Sequence, residues 1–303
     1  MLSSTNIKII PFRKFTYILS AVIIVAGGIN IAINHGLKMG IDFAGGNMIQ
    51  VAFMDDKVDI GDVRDVLIST GYGNNVQKID EPGKNVYILK TLARERDNDK
   101  IIAEIKNAIR SKYGDKDVEF ERTDIVGPRI SKDLLRTSYI VGVAAIALIL
   151  MYTTFRFRFR FGVAAILALV HDVFVVVSFI SFFGKEMDTF VFAAILTIIG
   201  YSLNDTIVVF DRARENLKSS KAYMDYPQTI NTSINQSLSR TVITSFTTLL
   251  VLLALYIFGG NTMRSFAFAL IVGVVVGTYS SMFVASALLV DWHRWKPEKI
   301  KKS

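Results

Sequence analysis

The 303-residue sequence contains no cysteine, which excludes disulfides, thiolate metal sites and cysteine nucleophiles. It has only five prolines and three histidines, and His35, His171 and His293 stand too far apart to form a spaced metal-ligand motif. No nucleophile elbow and no nucleotide-binding loop is present, so the chain is not expected to carry catalytic chemistry or a cofactor. A net positive excess is also missing from the soluble stretch, where it would point to nucleic acid. The formal net charge is +8, yet 17 Lys/Arg face 18 Asp/Glu between His35 and Arg136, so the whole excess lies elsewhere, beside apolar runs.

What the chain has in quantity is hydrophobic residues, 51% of the total, and a mean hydropathy of +0.39. Six apolar runs stand out: Tyr17–Ile33, Tyr139–Phe155, Phe161–Phe183, Thr189–Phe210, Thr241–Phe258 and Phe266–Val290. Each is about long enough to cross a hydrocarbon core of roughly 30 Å as a helix rising 1.5 Å per residue. The first run follows Lys8, Arg13 and Lys14. It is longer than most signal cores and no small-x-small cleavage site follows, so it is expected to be an uncleaved span.

Six spans place both termini on one side. The short loops of that side carry Arg156, Arg158 and Arg160; Arg212, Arg214, Lys218, Lys221 and Arg240; and Arg294, Lys296, Lys299, Lys301 and Lys302. The opposite short loops carry only Lys185 and Arg264, so the termini are expected to be cytoplasmic. The alternation Arg156-Phe157-Arg158-Phe159-Arg160-Phe161 is then an interfacial anchor rather than a nucleic-acid patch.

Between the first two spans lies a stretch of soluble composition. Asn47–Phe53, Val76–Asp80, Asn85–Thr91 and Asp117–Ile125 read as strands, with a turn around Pro82-Gly83. Asp59–Thr70 and Asp99–Tyr113 read as helices, with Val63, Val66, Leu67 and Ile101, Ile102, Ile105, Ile109 on their inward faces and Gly114 as a stop. The order is the βαββαβ, ferredoxin-like α+β pattern. The expected organisation is therefore residues 1–34 as a cytoplasmic N-terminus and first transmembrane helix and 35–133 as an extracytoplasmic, periplasmic domain. Residues 134–290 would be transmembrane helices two to six, and 291–303 a basic tail.

Several residues call for an explanation at membrane depth. Asp205 lies inside the fourth run, where an acid costs about 3 kcal/mol on insertion scales. It is either a structural carboxylate bonded to a neighbouring helix or a protonatable switch, and its neighbours Asn204 and Thr206 are grouped with it. Arg240 opens the fifth span, as a positive anchor or as the cationic partner of Asp205. His171 and Asp172 sit midway along the third run, on a proton path or in a satisfied interhelical bond. Thr241, Thr244, Ser245, Thr247 and Thr248 line a wet route or bond across helices. Gly273 and Gly277 are a small-xxx-small pair for close helix packing. Gly40–Gly46 (GIDFAGG) suits a tight turn joining membrane and outer domain; the hinge candidates are Gly40, Gly45 and Gly46, with Gly127 and Pro128 on the return.

Five strings in order, Gly40–Gly46, Val126–Arg129 (VGPR), His171-Asp172-Val173, Gly200–Asn216 (GYSLNDTIVVFDRAREN) and Ser237–Thr241 (SLSRT), resemble the SecD/SecF family of the bacterial Sec protein-translocase accessory complex, on its SecF side. The resemblance implies a multi-pass inner-membrane protein of the resistance-nodulation-division superfamily. It also implies a SecD partner with a related six-span bundle, and work beside the SecYEG channel, with YajC and the YidC insertase as further partners and preproteins as cargo. Its energy source would be the proton motive force, with proton-linked roles mapping onto Asp205 and Arg240. The other reading in the same superfamily is a proton-driven half-transporter of small molecules or lipids; a membrane-anchored scaffold that only binds partners is a third.

Overall fold

The computed structural model describes residues 6–54, 58–73, 75–81, 84–92, 98–115, 117–156, 159–218 and 225–296. Phe157 and Arg158, the Pro82-Gly83 turn, and Lys221, Lys299, Lys301 and Lys302 lie outside them.

Among the described residues six helical segments are long and apolar enough to cross a membrane. A 3-10 turn, Ile10–Phe12, leads into α1 (Arg13–Ile33). The other spans are α5 (Pro128–Arg156), α6 (Phe159–Phe182), α7 (Thr189–Lys218), α8 (Tyr226–Phe258) and a last span built from α9 (Gly260–Ser280), a π-helical stretch (Ser281–Ala285) and α10 (Ser286–Trp295). The helices outrun the apolar runs because hydropathy marks only the part suited to hydrocarbon. Polar turns continue the backbone ladder where good helix formers follow. Thus α7 extends through Asp211–Glu215 with an Arg212–Glu215 pair at 2.5 Å, one turn apart. α5 opens directly at Pro128, a residue suited to a first helical turn because its missing N–H is not needed there.

Both chain ends meet at one end of the bundle. Ile7 and Ile9 donate their N–H groups to Asn235 and Asn231 of α8 at 2.8 Å, and Arg13 pairs with Asp291 at 2.8 Å. α7 packs closely on α9 through small residues. A Cβ on Gly273 would fall 2.2 Å from the Ile198 side chain, and one on Gly277 would fall 3.0 Å from Ser202 Cβ. Gly273→Ala is therefore expected to lower stability by about 1–3 kcal/mol through overpacking. Thermal unfolding in detergent checks this, with Gly277→Ala losing less because its contact is looser.

The domain at the other end is a four-stranded antiparallel sheet: β1 (Gly46–Phe53), β2 (Asn75–Glu81), β3 (Lys84–Leu92) and β4 (Val118–Val126), in the order β2-β3-β1-β4. This is the ferredoxin-like arrangement the pattern predicts. α3 (Ile60–Ser69) and α4 (Asn98–Tyr113) cover one face. Ile49, Val51, Tyr87 and Leu89 from that face meet Val63, Leu67, Ile105 and Ile109 from the helices. Alternation turns Met48, Ile79, Ile88 and Lys90 the other way, over a cleft of about 600 Å³ whose floor includes Phe183, Phe190 and Tyr256.

The domain root is more built than a tight turn. Gly40 precedes a one-turn helix, α2 (Ile41–Ala44), closed by Gly45 at φ +72°, a left-handed position that favours glycine. A Cβ on Gly46 would lie 2.3 Å from the Thr91 carbonyl oxygen, so Gly46 is a close-packed strand start. The root is clasped to the α6–α7 connection. Met187 N–H donates to Lys38 O at 2.7 Å, Gly40 N–H to Met187 O at 2.9 Å, and Thr189 N–H to the Asp42 carboxylate at 3.0 Å. Glu186 pairs with Lys90 of the sheet and accepts from Gln77 at 2.9 Å. Asp188 caps α7 by accepting from Val191 N–H at 2.8 Å; its burial nevertheless pushes that carboxyl above the usual range.

Candidate functional site

Among the described residues two acids are buried inside the bundle, and their surroundings differ. Asp172, on α6, is 1% exposed. Its Oδ1 lies 2.8 Å from His171 Nδ1, while its Oδ2 accepts from Ser202 of α7 at 2.5 Å and Ser280 of α9 at 2.7 Å. His171 continues to Ser20 of α1 through Nε2 at 2.8 Å. Adjacent helical positions diverge by about 100°, yet this pair closes on itself because the imidazole reaches sideways. Both carboxylate oxygens are partnered, and four helices are tied at one point. Ser280 immediately precedes the π-helical stretch, where Ser286 Oγ reaches back five residues to Ser281 O at 2.9 Å.

Asp205, on α7, is 3% exposed, and its Oδ2 has no hydrogen-bond partner among the described residues. It lies about 20 Å along the axis from the last residue of α7 at helical rise, since the helix continues to Lys218. Thr206 Oγ1 and Thr241 Oγ1 are likewise buried and unpartnered. Such an oxygen costs about 1–3 kcal/mol when buried without a bond, so each of the three calls for an explanation.

Arg240, on α8, is exposed, and no ion pair within 4.0 Å joins it to Asp205 among the described residues. The two candidates occupy neighbouring helices but are not brought into contact. Asn204 is also exposed; it shares an outward stripe of α7 with Ala193, Thr197 and Gly200, and Arg240, Thr244 and Thr247 form a similar stripe on α8. The charged end of α7 is separate from this site. Asp211 pairs with Arg156 of α5 at 2.8 Å and Arg212 donates to Gln236 of α8 at 2.6 Å, which joins three helices at the terminal end.

Ser20 and Ser280 belong to the network around Asp172 but carry no sequence signal, because serine is ordinary in spans; Ser202 lies within the Gly200–Asn216 string but is not singled out there. Only their bonds to Asp172 and His171 give them a role. No cluster of three or more metal-type ligands occurs among the described residues.

Comparison with known proteins adds independent information. A family model described as "Protein export membrane protein SecD/SecF, C-terminal" matches residues 105–295, and one described as "SecD/SecF GG Motif" matches residues 32–53. The chain is 40% identical over 301 residues to the protein translocase subunit SecF of Desulfurispirillum indicum, covering 97% of this chain and 95% of that one. It is 37% identical to a translocase subunit SecDF of Brucella abortus, covering 93% of this chain but 37% of the longer protein. The crystal structure of SecDF from Thermus thermophilus, called a translocon-associated membrane protein, matches with a TM-score of 0.83 at 34% identity, over 97% of this chain and 40% of that one. A SecDF structure called the super-membrane-facing form matches with a TM-score of 0.71 at 34% identity. The chain thus spans about two fifths of each solved SecDF chain.

Proposed function

Because the chain belongs to the SecD/SecF family of protein-export membrane proteins, we propose that it couples the proton motive force to late steps of preprotein movement across the cytoplasmic membrane. The observation that carries this reading is Asp205: a carboxylate at membrane depth with an open oxygen, and an exposed arginine on the neighbouring helix. Asp205 takes up and releases the proton, and Arg240 is its partner when the carboxylate is charged. Asn204 and Thr206 border the path. One elementary charge crossing 100 mV supplies about 2.3 kcal/mol, enough to bias a two-state equilibrium roughly fiftyfold. The clasp at Met187, Asp42 and Glu186 offers a mechanical link, since it joins the helix carrying Asp205 to the outer domain. The deciding experiment is Asp205→Asn in a reconstituted export assay with and without a proton gradient.

The partner in this scheme is SecD. The SecDF of Brucella abortus, whose name joins both subunits in one chain, supports that pairing. So does the outward stripe: Thr197, Gly200, Asn204, Arg240, Thr244 and Thr247 would face lipid in an isolated bundle, and a second bundle would cover them. Gly200 has open space around it, with nothing within 4 Å of an added Cβ. Gly200→Phe is therefore expected to leave the chain folded and inserted while cutting co-purification with SecD severalfold. Undiminished co-purification would remove the stripe from the interface. On this reading the assembly acts beside the SecYEG channel.

A further inference from the structure

Thr241 has a relation to Asp205 that follows from helix register. Tyr201 of α7 donates its hydroxyl to Ser245 of α8 at 3.2 Å, so these two side chains meet between antiparallel neighbours. One turn toward the terminal end, four residues on along α7 and four back along α8, come Asp205 and Thr241. With about 6 Å of rise on each helix and one turn of spacing, they lie on the same facing sides as Tyr201 and Ser245. Thr241 is 1% exposed, and its Oγ1 makes neither the back-bond to its own helix nor any other bond among the described residues. The neighbouring threonines behave differently. Thr244, Thr247 and Thr248 each donate to a carbonyl of α8 one turn back, at 2.8–3.0 Å, and contribute no free hydroxyl inward.

From Ser245 the hydroxyls continue. Ser245 Oγ lies 2.6 Å from Thr278 Oγ1 of α9, which itself reaches Val274 O at 2.7 Å. Asp205, Thr241, Ser245, Tyr201 and Thr278 therefore form a polar column between α7, α8 and α9, running from the acid toward the end that carries the sheet domain. Its lower part holds buried oxygens without partners among the described residues; its upper part is already bonded.

We propose that Asp205 and Thr241 hold a water molecule between them and that the Ser245–Tyr201–Thr278 cluster passes protons between this water and the domain end of the bundle. The inference rests on the proton-coupling reading of Asp205 and assigns its outward half. In each transfer the water gives one proton to Asp205 Oδ2 and regains one from the hydroxyl chain, which takes one from the aqueous phase at the domain end. Every hydroxyl gives and receives one, so the only net change is one proton moved from that phase onto the carboxylate.

The test uses the complex with its partner in proteoliposomes and compares Thr241→Val, Thr241→Ser and Asp205→Asn. Valine keeps the shape and removes the hydroxyl; serine keeps the hydroxyl. Gradient-dependent stimulation of export is expected to fall at least about tenfold in Thr241→Val and to stay within about twofold of the parent in Thr241→Ser. A second readout is the infrared carboxyl stretch of Asp205, assigned by its loss in Asp205→Asn. This band is expected to shift in Thr241→Val and to return in Thr241→Ser, because it reports hydrogen bonding at Oδ2. Parental stimulation and an unmoved band in Thr241→Val would overturn the proposal while leaving Asp205 in place. Equal losses in valine and serine variants with an unmoved band would also overturn it, as the mark of a packing role. Retained stimulation in Asp205→Asn would overturn the underlying coupling reading instead, and the proposal with it.

Discussion

Asp205→Asn is expected to leave the protein inserted and bound to its partner while reducing gradient-dependent stimulation of export to background. The carboxamide matches the carboxylate in shape, so packing on α7 is preserved. It carries no charge at any pH and exchanges no proton in the working range. A neutral group is also easier to bury than an ion, so the fold gains rather than loses at this 3%-exposed position. The loss would therefore be functional and not structural. The contribution removed is the roughly fiftyfold bias that one charge moving through 100 mV can impose. Preprotein export into inverted vesicles, measured with ATP alone and then with an imposed gradient, separates the two components. The ATP-only rate should stay at the parental level and the gradient-dependent increment should disappear. Arg240→Leu gives the complementary check. Arg240 is exposed and forms no ion pair with Asp205 in this state, so its loss should change stability by less than about 0.5 kcal/mol. A matching loss of stimulation would place its role in another state of the cycle. An unchanged increment in Asp205→Asn would remove proton coupling from this residue.

The sequence makes the scaffold legible because two periodicities carry it. Long apolar runs mark the spans, and short alternating segments with two amphipathic helices mark the sheet domain, whose observed order β2-β3-β1-β4 is the one the βαββαβ pattern predicts. Span ends were less legible: α5 starts at Pro128 and α8 at Tyr226, well before their apolar runs, because helix continuation depends on propensity and not on hydropathy. The GIDFAGG segment suggested a turn, but it also contains α2 and enters a clasp with Met187 and Thr189, nearly 150 positions away. No local rule predicts such a contact. The two acids were legible as acids in apolar runs; their difference was not. That Asp172 is held at both oxygens depends on Ser202 and Ser280, 30 and 108 positions away, and that Asp205 is open depends on what fails to reach it. The hydroxyl-rich face of α8 was visible as composition, and only the structure sorts Thr241 and Ser245, which face inward, from Thr244, Thr247 and Thr248, which bond their own helix.

Asp172→Ala is expected to lower stability by about 2–4 kcal/mol, and Asp172→Asn by much less. The alanine variant leaves His171, Ser202 and Ser280 facing a site with no acceptor. Interhelical hydrogen bonds in membranes average about 0.6 kcal/mol and reach about 1.7, so losing three of them, together with a small cavity, gives that range. The loss falls on one point where α1, α6, α7 and α9 are tied, so the thermal midpoint in detergent should drop by several degrees. Asparagine can keep every bond. Its carbonyl oxygen accepts from Ser202 and Ser280, its amide donates to His171 Nδ1, and the imidazole then carries its proton on Nε2 and donates to Ser20. This exchange of tautomer is what separates the two roles open to Asp172. If the residue is an interhelical tie, Asp172→Asn retains both stability and gradient-dependent export, in contrast to Asp205→Asn. If Asp172 shares the proton path, Asp172→Asn keeps the fold and loses the stimulation. The contrast with Asp205 favours the first outcome: both oxygens of Asp172 are held by protein groups, whereas Asp205 Oδ2 meets none among the described residues.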